Sequence, residues 1–156
     1  MHEIDPVVLA VTLILITGVL PILATLGLVL YRLRAKTPTQ AIGGGIDIPL
    51  VASQTSTRRM PWLVWAFNLW NPRLALYPDA IEYRLFRLMR RPYSGIVRVD
   101  YVRTPIGTSN VILELADSRW SFVAWVPGRA AARDLISRLQ ESGCVISPRA
   151  AGLLRS

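Results

Sequence analysis

The hydrophobic pattern of the chain changes character along its length. Residues 7–30 form one run of 24 residues without a charge, and every face of a helix over this run would be apolar. From Leu74 onward apolar and polar residues alternate with a period of two, which is typical of half-buried strands. Between Gly128 and Ser142 the period becomes helical. The pattern predicts an α+β chain with a helix at each end of a β-rich region.

The charge-free run predicts a single transmembrane helix over residues 7–31. A helix of this length reaches about 36 Å, which exceeds a hydrocarbon core of about 30 Å. Arg32, Arg34 and Lys36 follow the run, and acidic residues precede it. Because cationic flanks stay in the cytoplasm, we expect residues 1–6 outside the membrane and the rest of the chain inside. A cleaved signal peptide is the competing interpretation, but the acidic start and the long run favour an anchor.

Pro21 interrupts the predicted helix. Proline removes one helix hydrogen bond, so a kink is expected near Gly18. The kink has two interpretations, a tolerated irregularity or a notch that packs against a partner helix.

Residues 32–59 have the composition of a flexible juxtamembrane linker. They include Thr-Pro, three consecutive glycines and a run of Ser, Thr and Gln. The glycines do not predict a phosphate loop, since no Lys-Ser or Lys-Thr follows them. A short strand over residues 46–51 is the alternative for part of this segment.

The segment Met60–Trp70 is rich in tryptophan, with Trp62, Trp65 and Trp70. Its length is too short for a helical span. Tryptophan favours the head-group layer of a bilayer, so a segment lying on a membrane is one interpretation. A buried first strand, or a lead-in to the core, is the other.

The alternating region predicts a series of antiparallel strands joined by turns. Pro78-Asp79-Ala80 is a turn signal, as is Asp117-Ser118. Residues 90–95 are expected to be a turn region, and residues 104–110 a loop. The predicted strands are 73–77, 81–86, 96–103, 111–116 and 119–126.

A helix over Gly128–Ser142 is predicted to close the domain. Its apolar stripe consists of Ala132, Leu135, Ile136 and Leu139. Gly143 suits the left-handed position that ends many helices. Residues 148–156 offer little to pack and are expected to be a frayed tail.

Composition excludes several kinds of site. The single cysteine, Cys144, cannot form an intramolecular disulfide or a multi-cysteine metal site, and we expect it to be a small apolar filler. The only histidine is His2, so no Ser-His-Asp or Cys-His arrangement is expected in the folded domain. No catalytic, cofactor or metal residues are predicted. Net charge is +8, which favours an anionic neighbour.

Two stretches carry a resemblance to a known family. Residues 74–84, LALYPDAIEYR, and residues 92–99, PYSGIVRV, are similar to the opening hairpin and following strand of bacterial pleckstrin-homology-like (PH-like) domains. The C-terminal helix follows at the distance that this family shows. The resemblance covers about residues 60–145 of a predicted domain at 60–147, and it implies a bent antiparallel β-barrel capped by that helix. Such domains are often found beside membrane spans, which agrees with the predicted anchor and with a location in the bacterial inner membrane.

The resemblance implies an interaction module rather than an enzyme. We expect it to bind a protein partner, an anionic phospholipid, or both, and not nucleic acid. An accessory subunit of a larger membrane complex, packing through its transmembrane helix, is the alternative function. The candidate binding residues are Arg84, Arg87, Arg90, Arg91, Arg98, Arg103, Trp62, Trp65 and Trp70.

Overall fold

The structure is a computed structural model that describes residues 7, 9, 15–34, 38–57, 64–104 and 108–156. Within these residues the helices are a π-helical turn at Leu15–Val19, α1 at Leu20–Arg34, α2 at Gly128–Glu141 and α3 at Pro148–Arg155. A 3₁₀ turn lies at Tyr93–Gly95. The strands are β1 at Thr39–Gln40, β2 at Ile46–Asp47, β3 at Ala52–Thr57, β4 at Val64–Asn68, β5 at Arg73–Leu76, β6 at Ala80–Arg84, β7 at Leu88–Pro92, β8 at Ile96–Arg103, β9 at Ser109–Leu115 and β10 at Trp120–Val126.

The predicted transmembrane helix is wrong. No helix in the described part of the chain is long and apolar enough to cross a membrane. Among the described residues, the longest continuous α-helix in this region is α1, whose 15 residues rise about 22 Å against a core of about 30 Å. The preceding turn is π-helical, and Pro21 lies directly after it, at the second position of α1. The single-pass inner-membrane location, which depended on the span, is contradicted with it.

Two antiparallel sheets of five strands make up the β region. Sheet A has the order β1-β2-β5-β6-β7, and sheet B has the order β4-β3-β10-β9-β8. The Tyr77–Ala80 turn joins β5 to β6, with Tyr77 N–H donating to the Ala80 carbonyl at 2.8 Å. Leu74 and Tyr83 are opposed across this hairpin, so both project towards sheet B.

The predicted closed barrel is also wrong. The two sheets are separate, because the chain leaves β7 through the 3₁₀ turn and enters β8 in the other sheet. In the described residues β7 is paired on one side only, with β6, and β4 is paired on one side only, with β3. The PH-like assignment is contradicted together with the barrel and the span.

The core lies between the sheets and under α2. The four stripe residues of α2 are fully buried, as the helical period predicted, and Gly143 has the expected positive φ of 86°. Tyr83 and Phe122 meet inside the core, with ring centroids 4.6 Å apart. Cys144 is buried at the end of α2, and desolvation raises the pKa of its thiol to about 11. The filler role that was predicted for this cysteine agrees with that position.

Two segments that were predicted to be irregular are structured. The predicted linker contains β3, whose Ala52 and Ser53 are fully buried between two neighbouring strands of sheet B. The predicted frayed tail forms α3, which begins at a Ser147 cap and places Ala150 and Leu153 in the core. Polar β3 escaped detection because its Ser and Thr residues have no hydrophobic period, and α3 escaped because it is short.

Candidate binding site between the two sheets

A cleft of about 360 Å³ opens where the two sheets fail to join. One wall comes from β6, β7 and the bend between them, and the other from β3, β4, β9 and β10. Most of the lining is apolar or aromatic. The lining residues are Thr55, Ala66, Tyr83, Leu85, Phe86, Met89, Arg91, Leu115, Ser118, Trp120, Ser121 and Phe122.

The free edges of β4 and β7 both contribute to this cleft. Ala66 of β4 and Met89 of β7 line it from opposite sheets. Every residue of β7 is at least partly exposed, and Met89 is 38% exposed. An unpaired edge offers a row of backbone N–H and C=O groups to another strand. The cleft therefore combines an apolar recess with unpaired backbone donors and acceptors.

Side-chain hydrogen bonds tie the two sheets together at one side of the cleft. Ser53 Oγ donates to the Arg84 carbonyl at 2.9 Å, and Asn68 Nδ2 donates to the Leu85 carbonyl at 2.6 Å. Asn68 Oδ1 also accepts from Asn71 N–H at 3.1 Å, which holds its side chain in place. Because these bonds end at consecutive carbonyls, they fix the end of β6, where the chain bends towards β7.

Arg91 connects the two sheets at the other side of the cleft. Its Nε donates to the Tyr83 hydroxyl at 3.1 Å, and its Nη1 donates to Asp117 in the β9–β10 turn. The Asp117 hydrogen bond is the main reason that the pKa of Arg91 is raised. The same bond holds the pKa of the Asp117 carboxyl below its ordinary value. Arg91 is thus a fixed charge in the cleft wall, and only part of it faces solvent.

The other predicted arginines have different environments. Arg90 Nη2 donates to both carboxylate oxygens of Asp79, at 2.9 and 3.3 Å, and the Arg90 guanidinium lies over the Tyr77 ring. Arg84 is half-buried and Arg87 is exposed in the bend beside Phe86. Neither Arg84 nor Arg87 forms an ion pair with any residue in the described ranges.

The six candidate arginines do not form one cluster. Four of them lie on β6, β7 and the bend between these strands of sheet A, whereas Arg98 and Arg103 lie on β8 of sheet B. Arg98 is committed to Glu114 at 2.6 Å, and this bond raises its pKa. Arg103 is exposed at the end of its strand. Their predicted binding role is not tested by these positions.

The tryptophan and flank predictions fall partly on residues that cannot be described. Trp62 and Lys36 lie outside the described residues, as do His2 and residues 1–6. The backbone at Trp65 belongs to β4, and Trp70 is 87% exposed just after it. Arg32 and Arg34 lie at the end of α1. Of the two interpretations of the Trp-rich segment, a strand is correct for Val64–Asn68, although this is an exposed edge strand.

Five carboxylates of the β region are paired with arginines. Asp79, Asp117 and Glu114 each pair with one arginine, and Arg73 bridges Asp47 and Glu82 at 3.1 and 3.2 Å. Among the residues that the structure describes, no three His, Cys, Asp or Glu side chains are grouped to hold a metal ion. What the arrangement offers chemically is a recess, backbone edges and positive charge.

Sequence reasoning missed β7 and the cleft. The sequence pattern predicts no element for residues 88–89 and a turn region for residues 90–95, because two adjacent arginines and a proline hide the strand period. The structure pairs Leu88 and Met89 with Arg84 and Tyr83 across a short bend. The apolar pair Leu88-Met89 so soon after β6 was the one sign of this hairpin in the sequence. Ala66 carried no signal, since its role comes from contact between separate sheets.

No protein-family model matches this sequence, and no curated protein matches it. The interpretation of the cleft therefore depends on its geometry and chemistry.

Proposed function

We propose that this protein is a non-catalytic binding module that captures an extended, acidic segment of a protein partner. The segment adds to the free edge of β7 as a further strand of sheet A. One of its apolar side chains enters the cleft between the sheets. The observation that carries this proposal is the position of two strand edges, of β4 and β7, that no described strand pairs with and that lie on either side of one apolar cleft.

The edge supplies affinity and the cleft supplies selectivity. In strand addition, main-chain hydrogen bonds hold the ligand and pockets select alternate side chains. Met89 and Arg91 are two residues apart on β7 and both line the cleft. An added strand has the same two-residue period, so its alternate side chains face the same recess. Tyr83, Phe122 and Leu115 form an apolar floor that suits a branched or aromatic side chain.

Charge favours an acidic partner. The chain carries 18 cations against 10 carboxylates, and the described carboxylates beside the cleft are already paired. Arg84 and Arg87 flank the start of β7 without an ion pair in the described ranges. Exposed charges of this kind mainly speed the encounter and set the orientation of a partner.

Selection from a displayed library of random short peptides tests the proposal on the full-length protein. We expect enrichment of peptides in which apolar residues alternate with others and acidic residues are frequent. The affinity of a selected, fluorescein-labelled peptide is then measured by fluorescence polarisation. N-methylation of alternate backbone amides, in one of the two registers, should weaken binding by about tenfold or more, because it removes strand hydrogen bonds.

Variants of the protein distinguish the contribution of the cleft to peptide affinity from that of the exposed charges. Ala66→Phe fills the cleft and should also weaken the peptide by about tenfold or more. Arg87→Ala should weaken it less and reduce its salt dependence, whereas the control Arg155→Ala, at the exposed end of α3, should leave it unchanged.

Absence of any enriched peptide, or equal affinity for peptides methylated in either register, would contradict strand addition. Anionic phosphatidylglycerol vesicles provide the comparison with lipid. Vesicle binding that is lost in Arg87→Ala but retained in Ala66→Phe, without peptide binding, would replace the proposal with a lipid-binding role.

A further inference from the structure

Five buried polar atoms in the described residues have no hydrogen-bond partner, and all five belong to sheet B. They are Gln54 Oε1, Ser56 Oγ, Asn110 Oδ1, Ser121 Oγ and Trp125 Nε1. Burying a polar group without a partner is unfavourable, and native proteins keep few such groups. Their concentration in one sheet therefore needs a physical reason.

The strand register places all five on the same face. Asn110 is directly opposite Trp125, and Ser56 is directly opposite Ser121. Ser121 and Trp125 are four residues apart on β10, so they share a face, and Gln54 is two residues from Ser56 on β3. This face is the one directed away from Phe122 and the core between the sheets. We call it the outer face of sheet B.

The five groups form a compact patch. They lie on three neighbouring strands, β3, β10 and β9, which span about 10 Å across the sheet. The distance from Ser121 to Trp125 along β10 is about 13 Å. A patch of this size matches a ligand of one or two sugar rings rather than a whole protein surface.

Two neighbouring cavities open onto the outer face. Gln54, Asn110 and Trp125 line a cavity of about 420 Å³, together with Val123 and Val102. Ser121 lines a second cavity, of about 380 Å³. Ile112 and Arg149 line both, so the cavities adjoin. Four of the five unpartnered groups therefore line space that can hold a ligand, and Ser56 is paired in register with one of them, Ser121.

The charges of this surface are balanced. The second cavity is lined by the cations Arg98 and Arg149 and by the carboxylates Asp100 and Glu114. Arg98 is already paired with Glu114, and Asp100 accepts a hydrogen bond from Ser147. This balance offers little advantage to an anion or a cation and favours a neutral ligand.

Donors, acceptors and aromatic rings occur together here. Trp125 Nε1 can only donate, the two amide oxygens can only accept, and the serine hydroxyls can do either. Phe67 and Trp125 form an edge-to-face pair with centroids 5.5 Å apart, and Phe67 is opposite Gln54 on this face. Hydroxyl groups of a sugar donate and accept at once, and the C–H face of its ring packs against aromatic carbon.

We propose that the outer face of sheet B binds a neutral saccharide. Sugar hydroxyls satisfy the amide oxygens of Gln54 and Asn110 and accept from Trp125 Nε1. The site is on the opposite face of sheet B from Phe122 in the floor of the cleft, although Ser121 lines both the cleft and the second cavity, and it does not depend on the proposed peptide-binding function.

Isothermal titration calorimetry of the full-length protein with maltotetraose, cellotetraose and chitotetraose tests this proposal. We expect saturable binding of at least one of the three. Gln54→Met removes an unpartnered acceptor with little change in volume, and Trp125→Phe removes the N–H donor while keeping a ring. Each should weaken the sugar by about tenfold or more without lowering the thermal midpoint, because the group removed has no partner in the protein.

Gln140→Met, on the exposed side of α2, is the matched control and should bind as the wild type does. Absence of saturable heat with all three saccharides would overturn the proposal and leave water as the occupant of these cavities. Full affinity in both Gln54→Met and Trp125→Phe would also overturn it. Loss of peptide binding in the cleft variants has no bearing on either result.

Discussion

Arg91 shows how one residue can have both a structural and a binding role. Its guanidinium joins Tyr83 of sheet A to Asp117 of sheet B, across the gap that forms the cleft. The sequence places it in a run of arginines whose members look equivalent, yet only Arg91 faces the cleft. A triple replacement of Arg87, Arg90 and Arg91 would therefore combine a change of surface charge with the loss of a contact between the sheets.

Replacing Arg91 with glutamine should raise the pKa of Asp117 towards its ordinary value, because the hydrogen bond that lowers it is lost. The folded pKa of this carboxyl lies below its unfolded value. Its contribution to stability is therefore present above the unfolded pKa and is lost as the pH falls through the folded pKa. A carbon-13 NMR titration of the Asp117 carboxyl in the wild type and in Arg91→Gln measures the shift. An unchanged Asp117 pKa in Arg91→Gln would contradict the pairing.

At the scale of elements, the period of hydrophobic residues was a good guide where one face is buried and the other is wet. It placed β5, β8, β10 and α2 within a residue or two of their observed bounds. It failed for β3, which is buried but polar, and for β7, which is an edge strand with no buried face of its own. The apolar run at the N-terminus predicted one helix long enough to cross a membrane, whereas the described residues from Leu15 onward form a π-helical turn followed by the 15-residue α1.

The start of α3 depends on one serine. Ser147 Oγ accepts from Ala150 N–H at 3.1 Å and donates to Asp100, and Ser147 itself is 4% exposed. Ser147→Ala should lower the free energy of unfolding by about 1–2 kcal/mol, since it removes a helix cap and a buried hydrogen bond. Urea denaturation measures the change. The control Ser94→Ala, at an exposed position of the 3₁₀ turn, should stay within about 0.5 kcal/mol of the wild type. Equal losses in the two variants would exclude the capping role.

For the whole molecule, the two ends of the chain differ in how they relate to the core. No α1 residue whose side chain the structure describes belongs to the buried cluster, and Ile22, Leu23 and Leu26 are each more than half exposed. At the other end, α3 contributes Ala150 and Leu153 to that cluster, and Arg133 of α2 donates two hydrogen bonds to the Leu153 carbonyl.

Deletions at the two ends should therefore have opposite results. Removal of residues 1–34 should leave the thermal midpoint of the β region within about 2 °C of the full chain, because none of the described side chains in this segment belongs to the core. Removal of residues 148–156 should lower the midpoint by about 8 °C or more, since it uncovers buried apolar surface around Leu153. Differential scanning calorimetry measures both. A larger fall in the thermal midpoint after the N-terminal deletion than after the C-terminal one would contradict the role of α3 in the core.

The candidate site was less accessible to sequence reasoning than the fold. The positive charge of residues 84–91 was visible from the arginines alone. The cleft was not, because Ala66, Met89 and Trp120 are distant in sequence and meet only through the arrangement of two sheets. The five unpartnered polar atoms were equally hidden, since a serine or glutamine in a strand gives no sign of what opposes it.

The attachment of the two sheets has a mechanical consequence. Ser53 and Asn68 donate hydrogen bonds to the consecutive carbonyls of Arg84 and Leu85. Beyond that point, no described strand pairs with the outer edge of β7. The β6–β7 bend is therefore attached to sheet B at one side of the cleft, and Arg91 attaches β7 to Asp117 at the other side. A ligand that displaces Arg91 from Asp117 can widen the cleft while the hydrogen bonds of Ser53 and Asn68 remain. Entry and release of the ligand therefore need no unfolding of either sheet.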